Sequence, residues 1–383
     1  MKYILLSTLC SLAVITNLNA QELPPVAEDE VGIVETLPRH YPDSYIFTSA
    51  IGFPQSGSIA VVDVAAETDN YKGSINAGYN ADFLTNVEKG EFYVSETYYS
   101  RGSRGVRTDI ISVIDQETLK LKHEIPLEVR KRFLVMPMTG KFSFTNDKKW
   151  VLVSNYTPAT SVSVVDLESQ KVISEIAIPG CNLAYSMGKR GFATMCGFGE
   201  VISITLDEKG ELLSEHSSEP FNDIDSDPHF EKVARIDDII YIPTYKGSMT
   251  SIDLSGDQAI VGETWSLVSA EEREQGWRPG GWSVISKDND GNFYILMHEK
   301  GYNGSHKDLG TEVWVFDPKT KTRIARHKLK APANAIVVTK EKEPHLAAFS
   351  PPDDMLRVYR ADNGEYVRPI MIGKMVGTMY VPE

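Results

Sequence analysis

The sequence predicts an all-β fold, a seven-bladed β-propeller of four-stranded antiparallel blades. Three observations lead there. Strand-like segments ending in an apolar run plus aspartate recur at roughly fifty-residue spacing, the period of a propeller blade. A polar turn follows each one, and a helical pattern appears only once. No Gly/Ser-rich or Pro-rich linker divides the chain after its first forty residues, although 383 residues would suit two or three ordinary domains.

The elements follow in order. "MKYILLSTLCSLAVITNLNA" carries one lysine, an apolar run from Tyr3 to Ile15 and a polar stretch ending in Ala20. That is the pattern of a secretory signal peptide over residues 1–20, cleaved near Ala20. The apolar run is too short to span a bilayer. Residues 21–40, rich in Pro, Glu and Asp, read as an extended arm, and the propeller occupies 41–383. Its repeating strands are "SIAVVD" to Asp63, "IISVID" to Asp115, "SVSVVD" to Asp166, "ISITLD" to Asp207, "MTSID" to Asp253, "EVWVFD" to Asp317 and "MLRVYR" to Arg360. Turns such as "QETL", "EKGE" and "ADNGE" follow, where Asp, Asn and Gly satisfy turn geometry. The single helical pattern is "SAEEREQG", with Ser269 and Glu272 as a capping box and Gly276 as terminator.

Composition narrows the partners. Hydrophobic residues make up 42% and charged residues 24%, enough apolar content for a large core. The formal charge of -14 is spread along the chain and argues against nucleic acid or an anionic membrane as partner. Removing the leader leaves two cysteines, Cys181 and Cys196. In an exported chain this pair is expected to join as a structural disulfide.

No G-x-S-x-G elbow, P-loop or H-E-x-x-H helix is present. His229, His298 and His306 do not match a metal-ligand spacing, so no metal site is expected. Two connections stand out by length, "YYSRGSRGVRTD" (Tyr98 to Asp109) and "HEKGYNGSHKDLGTE" (His298 to Glu312), because long ordered loops on a rigid scaffold tend to carry function. The first gathers Arg101, Arg104 and Arg107, either a docking patch or charge balance against Asp109. The second carries His306 and Lys307. The densest motif is "GWRPGGW", residues 276–282. Its Trp277 and Trp282 flank Arg278, whose guanidinium can stack on an indole. The pair can be a redox centre, a ligand platform or a packing corner, and as a corner every residue has a structural use.

"LVSAEEREQGWRPGGW", "GSHKDLGTEVWVFD", "VRTDIISVIDQETLKLKHEIPL", "RFLVMPMTGKFSFTNDKKWVLVSNYTPATSVSVVDLE" and the Cys181–Cys196 spacing resemble the large (heavy) subunit of the methylamine and aromatic amine dehydrogenases. The resemblance runs from about Ser56 to the C-terminus. It implies a periplasmic heterotetramer of two large and two small subunits. The cofactor, tryptophan tryptophylquinone, and the catalytic base would sit on the small cysteine-rich subunit, so no catalytic or cofactor-binding residue is expected on this chain. The implied reaction oxidises a primary amine to an aldehyde and ammonia, with electrons passed to a copper protein such as amicyanin or azurin. Relatives place an aromatic residue in the substrate channel within a "GGFLPNP"-like segment. The counterpart here, "AGYNADFLTN", lacks the prolines and offers Tyr79 first and Phe83 second. Arg101, Arg107, Trp277, Arg278, Trp282, His306 and Lys307 are the interface candidates. A stand-alone exported propeller acting as a binding or scaffold module is the alternative reading.

Overall fold

In the computed structural model, which describes residues 35–50, 57–127, 130–373 and 376–382, the recurring aspartates are turn caps. Asp115 Oδ1 accepts from the Glu117 and Thr118 amides at 3.2 and 2.9 Å. Asp207 Oδ1 accepts from Lys209 and Glu211 at 2.8 and 2.9 Å. Asp63, Asp166, Asp253 and Asp317 do the same for Ala65, Ser169, Ser255 and Lys319. The final repeat has Arg360 instead, and there Asn363 Oδ1 takes the Glu365 amide at 2.8 Å. The repeat is periodic in sequence because one carboxylate closes the same turn each time. The leader and all but the last residues of the arm lie outside the described residues.

From Thr36 onward the chain forms one unit of seven antiparallel sheets, each contributing a blade. Blade 2 is representative, running Tyr79–Asn86, Glu91–Arg101, Arg104–Asp115 and Leu121–Leu127 from the axis outward. The axial strands of blades 3 to 7 are Phe142–Phe144, Cys181–Met187, Ala234–Ile236, Ile285–Lys287 and Ala335–Val338. Blade 1 is closed by the far end of the chain. Its axial strand is Val376–Tyr380, which pairs with Tyr45–Ala50 through registers such as Phe47↔Tyr380. Ring closure therefore joins the two ends of the unit by a sheet ladder.

Between neighbouring blades lies one apolar layer each. Phe47, Phe83 and Phe92 meet between blades 1 and 2, with centroids 4.9 to 5.2 Å apart. Trp150, Ala184 and Phe192 join blades 3 and 4. Ile46 and Val62 meet Phe349 and Val358 between blades 1 and 7. Inward-facing Val, Ile and Phe of strands buried on both faces supply these layers, and full burial of each contributes on the order of 1.5–3 kcal/mol.

Cys181 and Cys196 are joined, and they are direct cross-strand partners in blade 4. The expected helix is present as Ala270–Glu274. Ser269 and Glu272 form the reciprocal capping box, and Gly276 ends the turn at φ 77°. One expectation changes. The segment Tyr98 to Asp109 is not a loop, because Glu91–Arg101 and Arg104–Asp115 continue their ladder through Tyr98↔Thr108 and Tyr99↔Arg107. Pairing carries this hairpin past the ends of its neighbours, and only Gly102 and Ser103 turn. The other long connection holds a 3-10 turn at Ser305–Lys307 before the strand Gly310–Asp317. No helix among the described residues is long and apolar enough to cross a membrane.

Candidate docking face and central channel

Alternating strand direction puts every axial strand's start on one face of the disc, together with each turn between second and third strands. Tyr79, the Arg101–Arg104 hairpin tip, the "GWRPGGW" strap and the His306 turn all belong to that face. The axial strands enclose a channel with a cavity of about 420 Å³, lined by Asp82, Phe83, Tyr185, Ser286, Lys340 and Thr378 among others.

The strap closes the channel at that face. Trp282 Nε1 donates to the Pro137 carbonyl at 3.0 Å, and Thr378 Oγ1 donates to the same oxygen at 2.8 Å. The Lys232 ammonium lies 3.9 Å from the Trp282 ring centroid. Burial pushes the Lys232 pKa down, with Lys307 adding to the effect against Glu231. The glycines permit close approach. A Cβ on Gly280 would stand 2.4 Å from His298 Cδ2, and Gly281 sits at φ 122° while its amide donates to the His306 carbonyl at 3.0 Å.

The two tryptophans of the strap do not flank Arg278. Trp277 packs in the blade 5–6 layer against Trp314, at 5.1 Å between centroids, while Trp282 packs against the blade 4–5 layer. The guanidinium over Trp277 belongs to Arg326, at 4.9 Å, and the same group lies 4.5 Å from Trp314. Arg278 turns the other way and donates to the Tyr302 carbonyl at 3.1 Å. Pro279 and the glycines bend the backbone, so the two indoles enter different layers. Trp277, 7% exposed, is therefore a core residue on which a partner has little surface to find.

The histidines are separately employed. His306 stacks on Tyr245 at 4.2 Å, which packs on Phe230 at 4.5 Å. Burial, Lys307 and Lys232 hold its pKa down, and Lys307 beside it is exposed. His298 Nδ1 contacts the Glu299 carbonyl at 3.1 Å. His229 Nε2 contacts Thr250 Oγ1 at 2.9 Å, and burial pushes its pKa down to about 4. Among the described residues no three His, Cys, Asp or Glu side chains gather to hold a metal.

Behind Tyr79 lies a buried ionic network that pattern reading missed. Arg107 meets Asp109 through two bonds of 2.8 Å, and Asp109 also accepts from Thr97 Oγ1 and the Arg132 amide. Arg132 donates to the carbonyls of Tyr79 and Asn80 at 2.9 Å and pairs with Asp82 at 3.3 Å. Lys141 pairs with Asp82 at 3.0 Å and donates to the Val135 carbonyl. Burial raises the Asp82 pKa against the pull of both cations, and burial pushes Lys141 down to about 8. Tyr79 is thus held at the rim through its own carbonyl, which accepts from the Arg132 guanidinium. Phe83, four residues on, points into the blade 1–2 layer and borders the cavity, so the two channel candidates serve different places. Its members were visible, one charge in "NADFLTN" and two in "RFLVMPMTGKFSF", but nothing local in the sequence pairs them.

Fold and site define a β-propeller subunit whose long connections gather on one face. The chain belongs to the methylamine dehydrogenase heavy chain family, whose model matches residues 53–376. The methylamine dehydrogenase heavy chain of Methylobacillus flagellatus is 26% identical over 309 residues, 80% of this chain and 76% of that one. Its counterpart in Methylorubrum extorquens is 25% identical over 312 residues, 80% and 75% of the two chains. A protein from Lactobacillus plantarum superposes with a TM-score of 0.61 at 12% identity, covering 89% of this chain and 99% of that one, which reflects the propeller fold alone.

Proposed function

We propose that this chain is the heavy subunit of a quinone-dependent amine dehydrogenase exported to the periplasm. A leader over residues 1–20 takes it there, and an arm over 21–40 precedes the propeller. It holds a small, cysteine-rich subunit in an assembly of two large and two small chains. The overall reaction converts a primary amine and water to an aldehyde and ammonia, releasing two electrons and two protons, with the electrons passed to a copper protein such as amicyanin or azurin. Tryptophan tryptophylquinone, carried by the small subunit, supplies the electrophile and accepts the electrons. This chain's part is to seat that subunit and shape the substrate entrance, with Tyr79 at the rim positioned by Arg132.

The observation that carries the reading is the family match across residues 53–376 on a complete seven-bladed ring. The packing roles of Trp277 and Trp282, in separate layers, fit a chain whose cofactor is made elsewhere. The test is purification of the tagged full chain from its native host. It is expected in complex with a small disulfide-rich chain that absorbs as a quinone and reduces a dye when amine is added. A chain that is always alone and colourless overturns the reading in favour of a stand-alone propeller.

A further inference from the structure

The two faces of the disc differ in what their turns expose. On the face where the axial strands begin, the blade 2 hairpin presents Tyr98 and Val106 to solvent, and the connections present Tyr156, Phe198, Ile224 and Tyr302. Among the described residues, turns of the opposite face present no large apolar side chain; Tyr71, Leu121 and Leu212 open outermost strands next to those turns, and Leu213, Ile260, Ile324 and Met371 lie along outermost strands at the disc's edge. Five of the six are on blades 2 to 4 or the connection just after.

Phe198 is the extreme case, 85% exposed at the tip of a two-stranded turn. Gly197 and Gly199 flank it, and the Cys181–Cys196 disulfide braces the strand that leads into the turn against its neighbour. The Gly199 amide closes the turn on the Cys196 carbonyl at 3.1 Å, and exposing a phenylalanine at its tip gains nothing for the isolated chain. It suits an anchor for a pocket on another protein, since the backbone that carries it is already braced. Tyr156, the neighbouring tip, is likewise fixed by stacking on Phe133 at 4.7 Å.

The hairpin of blade 2 supplies the charge. Arg101 and Arg104 are cross-strand partners, both exposed. Like charges placed opposite each other destabilise a hairpin. Among the described residues, Arg107 alone of the three pairs with a carboxylate, Asp109. Two unmatched arginines on a chain of net charge -14 have a use when a partner brings carboxylates.

We propose that the turns of blades 2, 3 and 4 are the seat of the small subunit, with Phe198 as apolar anchor and the Arg101–Arg104 tip as the contact for carboxylates at its edge. This rests on the heavy-subunit reading and adds where and by what chemistry the partner is held. A second copy of this chain docking face to face would bring its own arginine tips to the same region, so the occupant is a different chain.

The test titrates the full chain, and its variants, with small subunit dissociated from the native complex, at low and high salt. Phe198→Ser is expected to weaken binding about thirtyfold, the scale of an interface anchor. Arg101→Glu/Arg104→Glu is expected to slow association about tenfold at low salt, with the difference fading at high salt. Leu213→Ser, at the disc's edge, is expected to bind as the parent does. Unfolding midpoints equal to the parent's are expected for all three, because each site is exposed. Parent-like binding by Phe198→Ser, or an equal loss in Leu213→Ser, overturns the seat while leaving the heavy-subunit reading standing. A parent chain that binds no small subunit overturns both, and self-association through these tips overturns the choice of occupant.

Discussion

Two clusters in this molecule have the same make-up, one carboxylate between two cations, and opposite physics. At the channel wall, Asp82 meets Arg132 and Lys141, and all three side chains are within a few percent of complete burial. Beside the strap, Glu272 meets Arg323 at 2.8 Å and Arg326 at 3.1 Å, with both arginines about a third exposed. Burial drives the Asp82 pKa up despite its two cations. Burial also acts on Glu272, yet hydrogen bonds from Arg323 and the Ser269 amide bring its pKa below the usual value. Among the described residues, Asp82 Oδ1 and Arg132 Nε of the buried trio have no hydrogen-bond partner. In the outer one both guanidinia lie over Trp314, at 4.3 and 4.5 Å. Partial hydration and an indole bed let ion pairing help, whereas desolvation consumes it at the channel wall.

The largest expected effect tests that contrast directly. Asp82→Ala leaves Lys141 buried without its counter-charge and Arg132 with only the weaker pull of Asp109 and Glu96, and a loss of roughly 3–5 kcal/mol is expected in denaturant unfolding. A loss below about 1 kcal/mol, within the surface-pair range, would erase the distinction between the clusters.

Lys141 sharpens it through pH. Its pKa is pushed down to about 8 in the folded chain from 10.5. Between those values the unfolded chain binds more protons, so native stability rises with pH there, by on the order of 2 kcal/mol from pH 8 to 10. Below pH 8 both states are protonated and the contribution is constant. Lys141→Met is expected to flatten that rise, read from urea midpoints at stepped pH. A slope unchanged in the variant would mean that the ammonium is not desolvated as its burial implies.

These clusters also mark how far pattern reading reaches. The propeller was legible because Asp115, Asp207 and Asp317 each close a local turn within four residues, so cause and signal share one short window. The capping box of Ser269 and Glu272 was legible for the same reason. The hairpin at Tyr98 to Asp109 was misread as loop, because arginines and glycines outweigh a ladder that only pairing reveals. Axial strands of three residues, such as Ala234–Ile236, are too short to show alternation. Closure by Val376–Tyr380 and the Asp82–Arg132 pair join residues far apart in sequence, where no local pattern exists. The strap was half legible: its role as a corner was clear, but Arg326, which covers Trp277, lies 49 positions away.

The smallest effect belongs to the outer cluster. Glu272 Oε2 accepts from the Ser269 amide at 2.9 Å, and Ser269 Oγ accepts from the Glu272 amide at 3.2 Å. Ser269→Ala removes half of this box and is expected to cost about 1 kcal/mol. Glu272→Gln keeps a side-chain oxygen for the Ser269 amide but loses the charge that both arginines face. Since the Glu272 pKa is lowered in the folded chain, its contribution is fully present above the unfolded value of 4.5 and is lost as pH falls through the folded one. The glutamine variant should therefore differ from the parent at pH 7 and converge with it under acid. The difference at pH 7 is the informative half. If the two already coincide there, the arginines are held by their indoles rather than by the carboxylate, and the outer cluster owes its stability to stacking.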